Sequence, residues 1–357
     1  MVTGTLRRES SAILAWASLF VLLCAVLPIT CLNELRQGHW NTLWFGAMAA
    51  TLVFIRRELW PPVVAGLICL LAGPHLLGWY GIRQIWLWCL LATLFAATED
   101  NRPVLWGIRV LTLLHIVLGW LQVIGADPIL QHSGRPIGLM DSTFTLANWF
   151  IITAPLLMVG RWWIAFVAMV GLLLPLSSLG AVIGVAITAI ASIVHKVNKK
   201  VLLGAIAVAM VTLTLYSAKE PVIPRVMALR SERIQMWQMV IEKGNDAKQF
   251  LGHGLNSYWI DSREWPKVRT VSFDWLPWSL AHNDAVQCWY EGGWLLVLAW
   301  GAVMASLLLK FQSIPPMIFA GLIGYFYCSM YAFPWHIAGL WLLGAAYVGM
   351  SLTKEKP

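Results

Sequence analysis

Long apolar runs alternate with short polar segments along most of this chain. Each run has about the length at which a helix crosses a bilayer, roughly 17 to 25 residues. Inside lipid, a helix satisfies all of its backbone groups within one segment. The pattern therefore predicts an all-α fold, a polytopic membrane bundle of about 12 transmembrane helices near residues 12–30, 41–55, 62–80, 82–98, 104–124, 142–159, 162–176, 179–195, 201–217, 286–309, 314–332 and 335–352.

One long polar segment, residues 218–285, lies between the ninth and tenth predicted spans. It is longer than a simple connection, which rarely exceeds about 15 residues. We therefore divide the chain into residues 1–217 with spans 1–9, a large loop at 218–285, and residues 286–357 with spans 10–12. Functional side chains are expected on the loop, because scaffolds usually present them on connecting segments.

The lysine and arginine residues predict the orientation of these spans, since cytoplasmic loops carry an excess of both. With the N-terminus inside, the short outside loops hold only Arg36, Arg83 and Arg135. The cytoplasmic segments hold Arg7, Arg8, Arg56, Arg57, Arg102, Arg161, Lys196, Lys199, Lys200, Lys310, Lys354 and Lys356. Both termini are thus expected in the cytoplasm, with an uncleaved first span and the 218–285 loop on the opposite side.

Composition excludes an ordinary soluble protein. Of the 357 residues, 59% are hydrophobic and only 12% are charged, and 22 are tryptophan. The net charge of +8 fits basic cytoplasmic loops, and no nucleic-acid partner is expected because no zinc-finger or RNA-binding signature accompanies it. The six cysteines have no metal-ligand spacing and are interpreted as packing residues.

The first half of the loop contains two groups of candidate residues. Residues 231–240 have helical spacing, which places Ile234, Trp237 and Ile241 on one face and predicts an amphipathic helix at the membrane surface. Arg230 and Arg233 lie within one turn of each other on this helix. Further along, Gly252 and Gly254 permit a tight turn and the close approach of a ligand.

The end of the loop runs directly into the tenth span. His282 and Asn283 precede that span, and Glu291 lies about two turns inside it. Ionisable residues at the mouth of a membrane bundle are costly to bury, so they are candidates for function.

In order along the chain, these elements resemble the O-antigen ligase and polymerase superfamily. The family includes lipid A-core:O-antigen ligases, many O-antigen polymerases and bacterial protein O-oligosaccharyltransferases. The matching residues, from about residue 130 to 300, are Arg135-x-x-Gly138, Arg233-x-x-x-Trp237, Gly252-x-Gly254, His282-Asn283 and Glu291-Gly292. The chain departs from the family after Gly138, where asparagines are usual, and at Leu179, where the family often has an arginine.

The resemblance implies a GT-C-like glycosyltransferase of the bacterial inner membrane, with its active site facing the periplasm. Its donor would be a glycan on undecaprenyl diphosphate and its acceptor lipid A-core or another glycan, with membrane lipids around it. Arg135, Arg230 and Arg233 are expected to stabilise the leaving diphosphate, because guanidinium groups pair bidentately with phosphate oxygens. No metal or other cofactor is expected, and the resemblance implies inversion at the anomeric carbon.

The remaining candidates are assigned around that reaction. His282 and Arg233 are the expected catalytic residues, with His282 orienting an acceptor hydroxyl or taking its proton. Asn283 and Glu291 are expected to hold the imidazole or to bind sugar hydroxyls. Gly252 and Gly254 are expected in the substrate site.

Several functions remain open from the sequence. O-antigen ligation is favoured, with O-antigen polymerisation and protein O-glycosylation as alternatives, because the shared motif concerns the donor and not the acceptor. A transporter of the lipid-linked glycan is a different class, and it predicts inverted repeats and interrupted helices with charges near the bilayer midplane. A non-catalytic envelope scaffold is a third class, and it would tolerate the loss of His282.

Overall fold

The structure is a computed structural model that describes residues 55–72, 78–98, 100–126, 136–140, 142–176, 179–194, 224–265, 281–332 and 334–353. These ranges contain helices and no strand, which confirms the all-α prediction. The first six α-helices are α1 (Trp60–Ala72), α2 (Gly78–Ala97), α3 (Arg102–Val123), α4 (Thr143–Leu157), α5 (Trp163–Leu176) and α6 (Leu179–Val194). Then follow α7 (Pro224–Gly244), α8 (Ser257–Asp261), α9 (Asp284–Leu309), α10 (Pro316–Tyr331) and α11 (Ala338–Leu352).

Most of the predicted apolar runs coincide with one helix each, within a few residues. The predicted run at 62–80 is wrong at its end, because α1 stops at Ala72 and residues 78–80 already belong to α2. The predicted runs at 12–30 and 201–217, and 41–55 except Ile55, lie outside the described residues.

Local sequence sets several helix ends. Ser142 caps α4 by accepting a hydrogen bond from the backbone N–H of Thr145 at 3.1 Å. Asn283 caps α9 in the same way, accepting from the N–H of Val286 at 3.1 Å. These side chains satisfy backbone donors that have no partner within the first helical turn. The two caps fix the N-terminal ends of the helices that begin at the candidate site.

Helix α4 lies at the centre of the bundle. Every residue from Thr145 to Leu157 is buried, and the helix packs against α3, α5, α6, α10 and α11. Outside this centre, α2 packs against α11 and α1 packs against α9. The apolar core is continuous through these helices.

The outer surface of the bundle is also apolar. Trp106 and Val117 on α3, and Trp163, Ile164 and Val167 on α5, are all exposed. Helices α3 and α9 are long and apolar enough to cross a membrane, and six shorter apolar helices accompany them among the described residues. The count of about 12 spans therefore stays a prediction.

Helix α7 confirms the helix predicted at 231–240, and the structure adds which of its residues pack against the rest of the protein. Ile241 is half exposed, whereas Met236 and Val240 are fully buried against Tyr258 and Tyr290. The residue pair four positions apart, Met236 and Val240, forms the inward stripe, because side chains at that spacing lie on one face. The predicted contact of the Ile234, Trp237 and Ile241 face with the membrane surface stays a prediction.

Candidate functional site

The candidate site lies where α4 and α9 begin and α10 ends. Phe144 is in the first turn of α4, Tyr331 is the last residue of α10, and His282 precedes the cap of α9. Helix α7 supplies Arg233 to the same place. Two helix N-termini meet here, and such ends favour negatively charged groups.

Arg233 and His282 approach the same aromatic ring. The Cζ atom of Arg233 lies 6.0 Å from the ring centroid of Phe144. The His282 ring lies edge-on to Phe144 with centroids 6.2 Å apart. Nη1 of Arg233 also donates a 2.8 Å hydrogen bond to the carbonyl oxygen of Tyr331. The two residues expected to be catalytic are thus brought together.

His282 has an unusual backbone and an uncharged ring. Its φ of +51° is left-handed, a region that histidine visits more readily than most residues. Burial, and secondly the positive charge of Arg233, lower the pKa of His282 to about 3. The imidazole is therefore neutral at physiological pH, and it can accept a hydrogen bond from a hydroxyl group. A bound diphosphate would raise this pKa, because its negative charge opposes that of Arg233.

Both polar atoms of the Asn283 side chain are engaged within the protein. Oδ1 caps α9, and Nδ2 donates to the carbonyl oxygen of Met330 at 3.0 Å. Asn283 therefore links the start of α9 to the end of α10. This geometry places it beside the candidate site as a structural link; its expected contact with the substrate stays a prediction.

Helix α9 is broken at Gly293, and the segment from Gln249 to Gly254 fills the break. The backbone of Gly293 is non-helical, with φ +62° and ψ −167°. Trp294 and Leu295 donate their N–H groups to the carbonyls of Gln249 and Phe250, both at 3.1 Å. In the other direction, the N–H groups of residues 253 and 254 bond the carbonyls of residues 290 and 291, both at 2.9 Å. Backbone groups that the break would leave unpaired are thereby satisfied.

Gly252 is required by this contact. Its φ is +74°, and a Cβ atom there would lie 2.4 Å from the carbonyl carbon and oxygen of Glu291. The backbone of Gly254 bonds the same carbonyl. Both glycines therefore bring one stretch of this chain against another, whereas the sequence predicted the approach of a ligand.

Glu291 is buried, and each of its two carboxyl oxygens accepts a hydrogen bond from the protein. Oε1 accepts from Nε2 of Gln287 at 3.0 Å, and Oε2 accepts from the N–H of Asn256 at 2.9 Å. Glu291, Gly252 and Gly254 thus form a second cluster, separate from the ring contacts of His282 and Arg233. The predicted binding of sugar by these three residues stays a prediction.

The structure describes only one of the other two arginines that were predicted to bind the diphosphate. The backbone of Arg230 lies in α7, one turn before Arg233. Arg135 lies outside the described residues, but the turn after it is held firmly. Oε1 of Gln122 accepts from the N–H groups of Ile137 and Gly138 at 2.8 and 2.9 Å, and Nδ1 of His115 accepts from that of Leu139 at 3.1 Å.

An apolar groove of about 340 Å³ lies beside the site. Its walls come from α9, α10 and α11, with further contributions from α2 and from Trp335. Among the residues that line it are Trp88, Asp284, Cys288, Trp300, Met304 and Met330. Asp284 adjoins the cap residue Asn283, and on α10 the lining residues lie in its last two turns, from Tyr325 to Met330. The groove thus lies directly beside the residues at which α9 begins and α10 ends.

Sequence reasoning missed three residues of the site. Phe144 and Tyr331 are apolar-run residues whose position becomes informative only when the helices are assembled. Gln287 could have been found, because Asn283, Gln287 and Glu291 recur every four residues and therefore share one helix face.

No protein-family profile matches the chain, and no curated protein sequence matches it either. Among the described residues, no group of three or more His, Cys, Asp or Glu side chains is placed to hold a metal ion.

Proposed function

We propose that this protein is a membrane glycosyltransferase that moves a glycan from undecaprenyl diphosphate to a hydroxyl acceptor on the periplasmic face. The observation that carries the proposal is the convergence of Arg233 and His282 on the ring of Phe144. A permanently charged guanidinium suits the leaving group of such a transfer, and a neutral imidazole suits its acceptor. One stabilises a departing diphosphate and the other binds an incoming hydroxyl group.

The chain crosses the inner membrane about 12 times in this proposal. Its support is the apolar outer surface of α3 and α5 together with the long apolar helices α3 and α9. In water, so much exposed apolar surface would be unfavourable. The site lies at the ends of α4, α9 and α10 that the distribution of basic residues predicts to face the periplasm.

The donor chemistry has two supports in the site. Arg233 lies beside the N-termini of α4 and α9, which favour an anion, and its guanidinium compensates the partial negative charge at the end of α10. The groove between α9 and α10 offers an apolar path beside Asp284, next to the cap residue. A polyprenyl chain attached to a diphosphate needs both an anion site and an adjacent apolar path.

His282 is assigned to the acceptor. With a pKa of about 3, the free imidazole is a weak base, so it orients the acceptor hydroxyl by accepting its hydrogen bond. Full proton transfer follows as negative charge develops on the diphosphate. Displacement at the anomeric carbon then inverts its configuration. Ligation to lipid A-core is the favoured reaction, and polymerisation and protein O-glycosylation are the alternatives.

A transporter of the lipid-linked glycan is the second candidate, and the break in α9 favours it, because interrupted helices are typical of transporters. In such proteins the freed backbone groups face the substrate or ion. Here the backbone groups at the break bond to residues 249–254 of the same chain. That difference makes the transferase the preferred function.

The test is transfer by purified protein in detergent. The donor is an undecaprenyl-diphosphate glycan, and core lipid, a second lipid-linked repeat and a serine-containing protein are offered separately. We expect transfer to one acceptor, a loss of at least about 100-fold in His282→Asn and Arg233→Lys, and no effect of a chelator. If no acceptor is glycosylated while the donor crosses vesicle membranes, the protein is a transporter.

A further inference from the structure

We propose that Gln287 and Glu291 form a hydrogen-bond chain that positions His282, and that Glu291 serves transfer through this chain and not by touching the sugar. The inference rests on the proposed function for its catalytic part. Of the two roles expected for Glu291, holding the imidazole or binding sugar, it selects the first, and it gives a role to Gln287, which the sequence did not single out.

The chain consists of three consecutive hydrogen bonds. The N–H of Ala281 donates to Oε1 of Gln287 at 3.1 Å. Nε2 of Gln287 donates to Oε1 of Glu291 at 3.0 Å. The N–H of Asn256 donates to Oε2 of Glu291 at 2.9 Å. A continuous path thus leads from the loop at Asn256 to the residue immediately before His282.

Ala281 is held from its other side as well. Its carbonyl oxygen accepts a 2.8 Å hydrogen bond from Nε1 of Trp237. Ala281 is fully buried, so neither of its backbone groups has water as an alternative partner. Both hydrogen-bonding groups of the residue before His282 are therefore fixed by side chains.

This arrangement determines where the imidazole lies. His282 has a left-handed backbone, and it follows directly after a residue that cannot shift without losing buried hydrogen bonds. Trp237 lies four residues after Arg233, on the same face of α7. One helix therefore carries the arginine and also holds the segment that carries the histidine. The distance between the two groups depends on this connection.

Burial makes the chain sensitive to small changes. Gln287 and Glu291 are 3% and 7% exposed. A buried donor or acceptor without a partner loses free energy that water would otherwise supply. Glu291 itself has both oxygens bonded within the protein, which argues for a positioning role.

An exchange of the two residues tests the proposal. In Gln287→Glu alone, two carboxyl groups face each other. In Glu291→Gln alone, one amide oxygen must serve two donors. In the double variant Gln287→Glu/Glu291→Gln, a carboxylate at 287 accepts from Ala281 and from the new amide, and the amide oxygen at 291 accepts from Asn256. All three hydrogen bonds and the net charge are then retained.

We expect each single variant to lower transfer roughly 10- to 100-fold, the effect of one unsatisfied buried group. The double variant should recover activity to within about 3-fold of the original protein, since no hydrogen bond is lost. Gln238→Glu, at an exposed position on α7, is the control for added charge and should leave transfer unchanged. If the double variant is folded but as inactive as Glu291→Gln, the carboxylate itself is needed at position 291 and the proposal is wrong.

Amide hydrogen exchange at Ala281 gives a second readout that needs no activity. The single variants should speed exchange of this amide, and the double variant should restore its protection. Unchanged exchange and transfer in the single variants would also overturn the proposal. If the unaltered protein transfers nothing to any acceptor, the proposed function fails, and the exchange pattern still decides whether the chain holds the His282 segment.

Discussion

Nη1 of Arg233 donates a 2.8 Å hydrogen bond to the main-chain carbonyl of Tyr331, the last residue of α10. The final carbonyls of a helix have no partner within it, and they carry partial negative charge. Arg233 therefore stabilises the end of α10 and is held in place by it. The same contact keeps the guanidinium beside Phe144 and His282. Arg233 therefore both stabilises the packing around the site and supplies its positive charge.

Replacement of Arg233 by lysine separates these two roles. Lysine keeps a donor for the Tyr331 carbonyl but lacks the planar fork that binds two phosphate oxygens. We expect kcat to fall at least about 100-fold, while the melting temperature changes little. Arg263→Lys is the matched control, because Arg263 lies in the same loop and stacks on Trp259 at 3.5 Å. Equal losses in both variants would contradict a specific role for Arg233.

The filled break in α9 predicts a large difference between two glycine substitutions. Gly252→Ala places a Cβ atom 2.4 Å from Glu291 and also has a left-handed backbone. We expect it to lower the free energy of unfolding by roughly 2–5 kcal/mol, the sum of backbone strain and overpacking. Gly125→Ala has a similar φ of +78° but open space around it, so only about 1–2 kcal/mol is expected. Thermal unfolding in detergent measures both, and equal shifts would exclude the steric contribution.

The groove predicts a dependence on the length of the donor lipid. Gly301 lines it, and nothing lies within 4 Å of a Cβ built at that position. Gly301→Trp should fill the groove and raise KM at least about 10-fold for a long polyprenyl donor, since each buried CH2 contributes about 0.8 kcal/mol. A donor with a short lipid should be unaffected. Gly301→Ala is the control, and an identical effect on long and short donors would argue against the groove as the lipid site.

The low pKa of His282 predicts a particular dependence of stability on pH. An unfolded histidine takes up its proton near pH 6.5, whereas the folded residue does so only near pH 3. The stabilising contribution is therefore complete above pH 6.5 and is lost as pH falls towards 3. His282→Asn removes this titration and tolerates the left-handed backbone. Its melting temperature should fall less than that of the original protein between pH 7 and 4, and parallel curves would contradict the assignment.

The sequence indicated the helices and the order of the functional motifs, but not the contacts between them. Apolar runs predict helices because lipid and core both exclude unpaired backbone groups. The end of α1 was missed because the run at 62–80 was interpreted by apolarity alone, although Gly73-Pro74 directly after Ala72 is a helix-stop signal in the sequence. The inward stripe of Met236 and Val240 was not identified, because apolarity alone does not distinguish a residue that faces protein from one that faces lipid.

The sequence also predicted only part of the candidate site. Arg233 and His282 were identified, and the structure brings them to one ring. The sequence left Glu291 between holding the imidazole and binding sugar because its partners could not be seen: Gln287 lies one turn away, but Asn256 is 35 residues distant. Likewise, Gly292-Gly293 permits a break in a helix without showing which segment fills it.

The break in α9 also has a consequence for biosynthesis. In the proposed topology, residues 249–254 are synthesised and translocated before residues 284–309, so the segment that completes the interrupted helix is available when that helix enters the bilayer. The unpaired main-chain groups at the break in α9 are therefore exposed to lipid only briefly. A circular permutant that delivered α9 first would face that penalty, and its insertion would depend on the later arrival of a segment from the other side of the membrane.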